Sequence, residues 1–247
     1  MAYGIFARHY DALTTNVKYS SRAMYFDGLI QKYSPGRGLL LDLACGTGSL
    51  SVEMAKLGYE VIGVDASADM LSVAMSKNDT PSRVMFLNQP MQKLNLYGTV
   101  DAVVCALDSL NHLAPKELKQ VFERLRLFVA PGGVFVFDVN TKYKHQKILA
   151  DNCFVYENND VYCVWQNNLR EDSSIEIILD FFENCSDGTY KRHREEFCEY
   201  IHEDSHLRKT LTAAGFEVQA VFDADTENPP AENSERVVYI ATGPRKD

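Results

Sequence analysis

The residues best placed to do chemistry lie in one run, Leu39-Leu-Leu-Asp-Leu-Ala-Cys-Gly-Thr-Gly-Ser-Leu50. An apolar strand that enters a Gly-x-Gly turn and then a helix brings bare backbone N–H groups up to a ligand at the helix N-terminus. The same G-x-G also serves as a plain tight turn. Asp65, at the end of the next apolar run Val61–Val64, offers a carboxylate that can accept from both hydroxyls of a ribose. Two residues narrow the ligand. A dinucleotide fingerprint places a third glycine at position 51, where this chain has Ser51. Asp42 precedes the glycines where an anion repels a pyrophosphate and attracts a cationic amino group. The loop therefore suits S-adenosylmethionine, which carries an amino group and a sulfonium, better than a dinucleotide.

Further polar groups stand at the carboxyl ends of later apolar runs, where open α/β sheets bind ligands. Asp108-Ser-Leu-Asn-His112 follows the run 101–106, and His112 is the candidate general base. The competing reading of His112 is a histidine that caps or packs at the start of the next helix. Asp138 and Asn140 end another run, with Tyr143 and His145 just beyond. His202-Glu-Asp-Ser-His206 matches H-E-x-x-H, but zinc binding needs both histidines on one helical face. Asp204 or Ser205 reads as the N-cap of the following helix, which leaves His202 outside it, so no metal is expected.

The elements that must carry these groups follow from periodicity. Residues 1–33 read as helical, and Ser34-Pro-Gly-Arg-Gly38 breaks the pattern. Apolar strands are then expected at 39–43, 61–64, 84–87, 101–106 and 134–139. Helices fall between them at about 49–57, 67–77 and 115–128. Continuous apolar strands alternating with helices mean a parallel sheet covered on both faces. After residue 141 the pattern becomes long and alternating, over 161–169, 174–184 and 189–200. The turn clusters Asn158-Asn159-Asp160, Glu171-Asp172-Ser173 and Ser186-Asp187-Gly188 punctuate it. This reads as an antiparallel meander inserted into the α/β domain. A helix at 204–214 and a hairpin of strands 216–222 and 236–242 close the chain. The expected division is an N-terminal helical cap (1–33), a ligand-binding core (34–141 and 201–247) and an antiparallel β insert (142–200). The insert serves acceptor recognition or a dimer contact.

The 247 residues suffice for a sizeable core, and the net charge of −9 argues against a nucleic-acid partner. That charge is split: residues 1–150 sum to +3 and residues 151–247 to −12. The acid lies in the part expected to choose the acceptor, which favours neutral or cationic small molecules over polyphosphate backbones. No secretory signal or membrane span is legible. Six scattered cysteines with no C-x-x-C pair read as reduced, mostly buried thiols, and a cytoplasmic location follows. The chain is expected to be a monomer or a homodimer.

Asp42-Leu-Ala-Cys-Gly-Thr-Gly48, with Val64-Asp65 and Met70-Leu71, resembles the class I S-adenosylmethionine-dependent methyltransferases. It is similar to their small-molecule type, with a helical cap and an inserted β-subdomain. The resemblance implies an α/β fold: a seven-stranded, mostly parallel sheet, helices on both faces, a closing antiparallel hairpin and a small antiparallel β insert. It implies that Asp42, Ala44, Gly46 and Gly48 hold the methionine moiety and that Asp65 holds the ribose. Ala66 and Met70 would lie against the adenine. Pro90 stands where relatives carry an acidic residue near the adenine amine, so Gln89 or the Met91 backbone would have to substitute. Ala106, Leu107 and Asp108 would line the pocket near the sulfonium, and Tyr10 and Tyr19 would close over the cofactor. The Asn/Asp-Pro-Pro-Tyr signature of base amino-methylation is missing after the fourth strand, where Cys105-Ala-Leu-Asp108 stands; Asn228-Pro-Pro-Ala231 reads as a turn. The implied activity is methyl transfer to a small-molecule acceptor by in-line displacement. An RNA-directed enzyme, a non-catalytic cofactor-binding protein and an NAD-type Rossmann enzyme are the alternatives.

Overall fold

The computed structural model describes residues 4–79, 83–158, 161–185 and 187–243. The expected turn residues Asn159, Asp160 and Ser186 lie outside the described residues. The first segment is helical and forms two helices, α1 (Gly4–Leu13) and α2 (Tyr19–Tyr33). The break falls where the Thr14 hydroxyl bonds back to the Tyr10 carbonyl at 2.7 Å and Val17 N–H turns to Thr14.

Then come β1 (Leu39–Leu43), α3 (Ser49–Lys56), β2 (Glu60–Asp65), α4 (Ala68–Lys77), β3 (Val84–Asn88) and β4 (Val100–Cys105). Next are α5 (Pro115–Arg126) and β5 (Val129–Asn140), followed after the insert by α6 (Asp204–Ala213), β10 (Glu217–Asp223) and β11 (Arg236–Thr242). Local chemistry sets the helix starts. Ser67 caps α4 by accepting from Met70 N–H, and α5 opens on Pro115 with Glu117 turned back to Ala114 N–H. The seven strands order as β10-β11-β5-β4-β1-β2-β3. All neighbours are parallel except β11, which runs antiparallel to both β5 and β10. Strand order reverses between β1 and β4, the switch point at which such sheets open a crevice. Two apolar layers hold the sheet. Phe122, Phe135, Phe137 and Leu211 lie in one, and Phe26, Ile30, Met54 and Tyr59 in the other.

Between β5 and α6 the chain makes a π-helical turn, Lys144–Leu149, and a second, four-stranded antiparallel sheet. Its strands run in sequence order: β6 (Cys153–Glu157), β7 (Val161–Leu169), β8 (Ile175–Asn184) and β9 (Tyr190–Glu199). The expected meander contained β7–β9. Strand β6 adds an edge whose residues are mostly exposed, so no alternation marks it. The same edge corrects the reading of the cysteines. All six are free, but only Cys105 and Cys163 are buried, and Cys153 on β6 is exposed. Among the described residues, no helix is long and apolar enough to cross a membrane.

Candidate functional site

A cavity of about 590 Å³ opens at the carboxyl ends of β1, β2, β4 and β5, and its far wall is the face of the second sheet. Helix α1 forms its lid and is anchored on both sides. Thr47 of the glycine loop donates to Asp11 at 2.7 Å, and His9 pairs with Glu183 of β8 at 3.0 Å. The cavity therefore runs from the glycine loop, beneath α1, to the inserted sheet.

At the loop end, Ala44 and Gly46 both have positive φ (60° and 54°) and line the cavity. A Cβ built on Gly46 would meet no protein atom within 4 Å. The space over that backbone is thus open to a ligand, with the Asp65 carboxylate at its edge where a ribose-bearing molecule would need one. Gly48, also left-handed at φ 70°, serves packing instead: a Cβ there would lie 2.7 Å from the Phe86 ring and 2.9 Å from Ala74. Asp65 accepts from Gly46 N–H and Ser67 N–H, each at 2.8 Å, and still borders the cavity. Burial raises its pKa, against those backbone bonds. Asp42 is buried behind the loop and takes the Ser51 hydroxyl at 2.5 Å. Burial first, and the Asp65 charge with it, hold its carboxyl up at about 7, although the Ser51 bond pulls the other way.

Of the residues named from sequence, Tyr10, Ala44, Gly46, Asp65, Ala66, Met70, Met91, Leu107, Asp108 and His112 form cavity wall. Tyr19, Asp42, Gly48, Gln89 and Ala106 stand behind it. Gln89 is turned away, because its amide closes on the Asn95 backbone at 2.8 and 3.2 Å. Pro90 and Gln92 line the wall there instead. Burial first, and the neighbouring charges with it, raise the pKa of both Tyr10 and Tyr19. His202 is not a zinc ligand in this arrangement. Its Nε2 donates to the Leu110 carbonyl at 3.1 Å, whereas His206 is exposed on α6, whose N-cap is Glu203.

The middle of the site is a charge network that sequence reasoning did not assemble. Leu107 and Asp108 are consecutive left-handed residues (φ 56° and 55°), a conformation that costs a non-glycine residue about 1–2 kcal/mol. Buried Asp138 holds them, accepting from their N–H groups at 3.0 and 2.7 Å. Arg22 of α2 and Arg236 of β11 bind the same carboxylate at 3.2 and 2.6 Å, and Arg236 also reaches Asp108. Asp138 was visible as a strand-end carboxylate. Its arginines come from positions 116 and 98 residues away, so no local spacing signals them.

The acceptor end is positioned by Asn111, which is fully buried. Its side chain accepts from Asn140 N–H at 2.9 Å and donates to the Tyr200 carbonyl at 3.0 Å, and its own carbonyl takes Tyr200 N–H at 2.7 Å. This ties the turn after β4 to the ends of β5 and β9, and so brings Glu199 beside His112. Glu199 contacts His145 and the Asn140 amide, each at 3.2 Å. Burial would raise its pKa, but the His145 bond, the neighbouring histidines and the amide outweigh burial and hold it below the usual carboxylate range. His112 lies 5.2 Å from the Phe197 ring, and its Nδ1 has no hydrogen-bond partner among the described residues. The Asn140 Oδ1 is likewise unpartnered and buried. Asp108, His112 and Glu199 bring one ligand-capable atom each within 4.8 Å of one another. Nothing in sequence singled out Glu199, which stands in a strand with two other glutamates. His145 is fully buried between Thr141 and Glu199, and Tyr143 is not part of the cavity wall.

Residues 40–133 match the family model described as a methyltransferase domain. The chain is 34% identical to a methyltransferase-family protein of Geobacillus sp. (strain WCH70), over 98% of this chain and 99% of that one. It is 36% identical over 121 residues to the dTDP-3-amino-3,6-dideoxy-alpha-D-glucopyranose N,N-dimethyltransferase of Streptomyces fradiae, covering 49% of this chain and 46% of that one. A solved S-adenosylmethionine-dependent methyltransferase from Clostridium acetobutylicum ATCC 824 superposes with a TM-score of 0.87 at 28% identity, covering 98% and 99% of the two chains.

Proposed function

The chain belongs to the S-adenosylmethionine-dependent methyltransferases, and on that footing we propose that it methylates an amino nitrogen of a small molecule held between His112 and Glu199. The observation that carries this reading is the cluster of acceptor atoms at the far end of the cavity. Glu199 stays anionic, and His112 Nδ1 and Asn140 Oδ1 have no partner among the described residues, which is a set that an amine's N–H groups would satisfy. An amino nitrogen is also the acceptor in the printed name of the Streptomyces fradiae relative.

In this reading the open backbone of Ala44 and Gly46 lies against the methionine end, with the Gly46 N–H kept by Asp65, and Asp42 supplies the charge that answers its amino group. Asp65 takes the ribose hydroxyls, while Ala66, Met70 and Met91 flank the adenine, with Gln92 rather than Gln89 at its edge. When bound, S-adenosylmethionine supplies a methyl carbon already activated by positive sulfur. Tyr10, Leu107 and Asp108 enclose that point, with Tyr19, Gly48 and Ala106 supporting them from behind. The cap (1–33) and the insert (142–200) exclude water and align the acceptor in line with the donor. His112 takes the proton that the nitrogen sheds.

The test is thermal stabilisation by S-adenosylhomocysteine against NAD, followed by methyl transfer to small amines with and without a chelator. Stabilisation by S-adenosylhomocysteine and chelator-resistant N-methylation are expected. Stabilisation by NAD alone would overturn the cofactor assignment, and transfer only to oxygen or to RNA would overturn the acceptor assignment.

A further inference from the structure

One cation in the cavity has no counter-charge in contact among the described residues. Lys144 opens the π-helical turn just past β5, and its side chain lines the cavity, half buried. Its backbone N–H is fixed by the Thr141 hydroxyl at 3.1 Å, but its ammonium makes no hydrogen bond or ion pair within the described residues. The carboxylates of Asp108, Glu199 and Glu235 lie near enough to act on it, but none touches it, and the first two are engaged elsewhere. Arg236 is shared by Asp108 and Asp138, Asp138 also takes Arg22, and Glu199 faces His145. Burial first, and then the Arg236 charge, pull the Lys144 pKa down. The turn itself is of a kind concentrated at functional sites. Its wide i→i+5 turn puts Lys144, Ile148 and Leu149 on one wall of the cavity.

Strand order says which ligand this charge faces. The glycine loop follows β1 and Asp65 ends β2, whereas Lys144 follows β5 and Arg236 opens β11, with β4 between the two sides. Lys144 therefore sits on the acceptor side, across the cavity from the cofactor loops.

We propose that Lys144 binds an oxyanion of the acceptor, so that the substrate class is an amine carrying a carboxylate or phosphate a few bonds from the reacting nitrogen. This rests on the methyl-transfer reading above. The Glu199–Asn140–His112 wall takes the amine and Lys144 takes the anion, and two fixed points suffice to hold the nitrogen in line with the methyl carbon.

The experiment uses the full chain saturated with S-adenosylhomocysteine. Acetate, inorganic phosphate and methylammonium are titrated calorimetrically into the wild type, Lys144→Met and Lys144→Arg. Both oxyanions are expected to bind the wild type and Lys144→Arg, and to bind Lys144→Met at least about tenfold more weakly, with methylammonium unchanged. In methyl transfer, Lys144→Met is expected to raise KM for glycine and 2-aminoethyl phosphate while leaving KM for ethanolamine as it was. Oxyanions that fail to bind the wild type, or that bind Lys144→Met equally, overturn the proposal. So does a loss of S-adenosylhomocysteine affinity in Lys144→Met, which would assign the charge to the cofactor's own carboxylate. Failure of S-adenosylhomocysteine to bind the wild type is a different result, and it counts against the cofactor assignment instead.

Discussion

Replacing Asp42 by Asn tests the electrostatics of the glycine loop directly. Asp42 is 2% exposed and has one side-chain partner, the Ser51 hydroxyl. Burial holds its carboxyl at about 7 against an ordinary value of 3.8. At 1.36 kcal/mol per pH unit, ionising it in the folded chain costs about 4 kcal/mol more than ionising it in the unfolded chain. The sign follows from proton counts. Between about pH 4 and pH 7 the folded state holds a proton that the unfolded state has lost, so stability falls as pH rises through that window. Asparagine carries no charge at any pH and escapes the fall. For a chain of this size, about 4 kcal/mol corresponds to a Tm difference on the order of 10 °C. Melts of ligand-free wild type and Asp42→Asn between pH 5 and pH 8.5 sample about two thirds of that window, so they should diverge by about 3 kcal/mol, a Tm difference on the order of 8 °C, in favour of the variant at high pH. An unpaired amide N–H in the variant would subtract about 1 kcal/mol at every pH, so the readout is the pH slope of the gap rather than its absolute size. S-adenosylhomocysteine should narrow the gap at pH 8.5, because its amino group supplies the missing counter-charge. Parallel curves for the two ligand-free proteins would refute the reasoning.

The two loop glycines should separate stability from binding. Gly46→Ala places a methyl group in open cavity, so it should lose S-adenosylhomocysteine affinity while costing only the about 1–2 kcal/mol of a left-handed alanine. Gly48→Ala meets Phe86 and Ala74 as well, and its melt should fall further than that of Gly46→Ala. Arg236→Met removes the guanidinium that bridges Asp108 and fully buried Asp138. Denaturant titration should show a loss of about 3–5 kcal/mol. Arg236→Lys should recover only part of it, since one ammonium cannot reach two carboxylates as a planar fork does.

The sequence by itself determined the architecture of the cofactor half. Five continuous apolar strands, the Gly-x-Gly turn and Asp65 lie within short spans, and period, turn chemistry and strand ends are local properties. Residues such as Gly46 and Asp65 are therefore legible from the order of residues alone, and Met70 from the family resemblance that the same segment carries. Tyr19, Asp42, Gly48, Gln89 and Ala106 lie in the right segments of the chain yet stand behind the cavity wall. Which way Gln89 points is decided by its bond to Asn95, and periodicity does not encode a rotamer. The acceptor half was decided by tertiary structure. Glu199 looks like any solvated glutamate of an acidic strand until Asn111 stitches the ends of β5 and β9 to the turn after β4. Arg22 and Arg236 look like ordinary surface residues until Asp138 draws them together. A charge acquires its meaning from the counter-charges and the burial around it, and here those are assembled from segments that only the fold brings within a few ångströms.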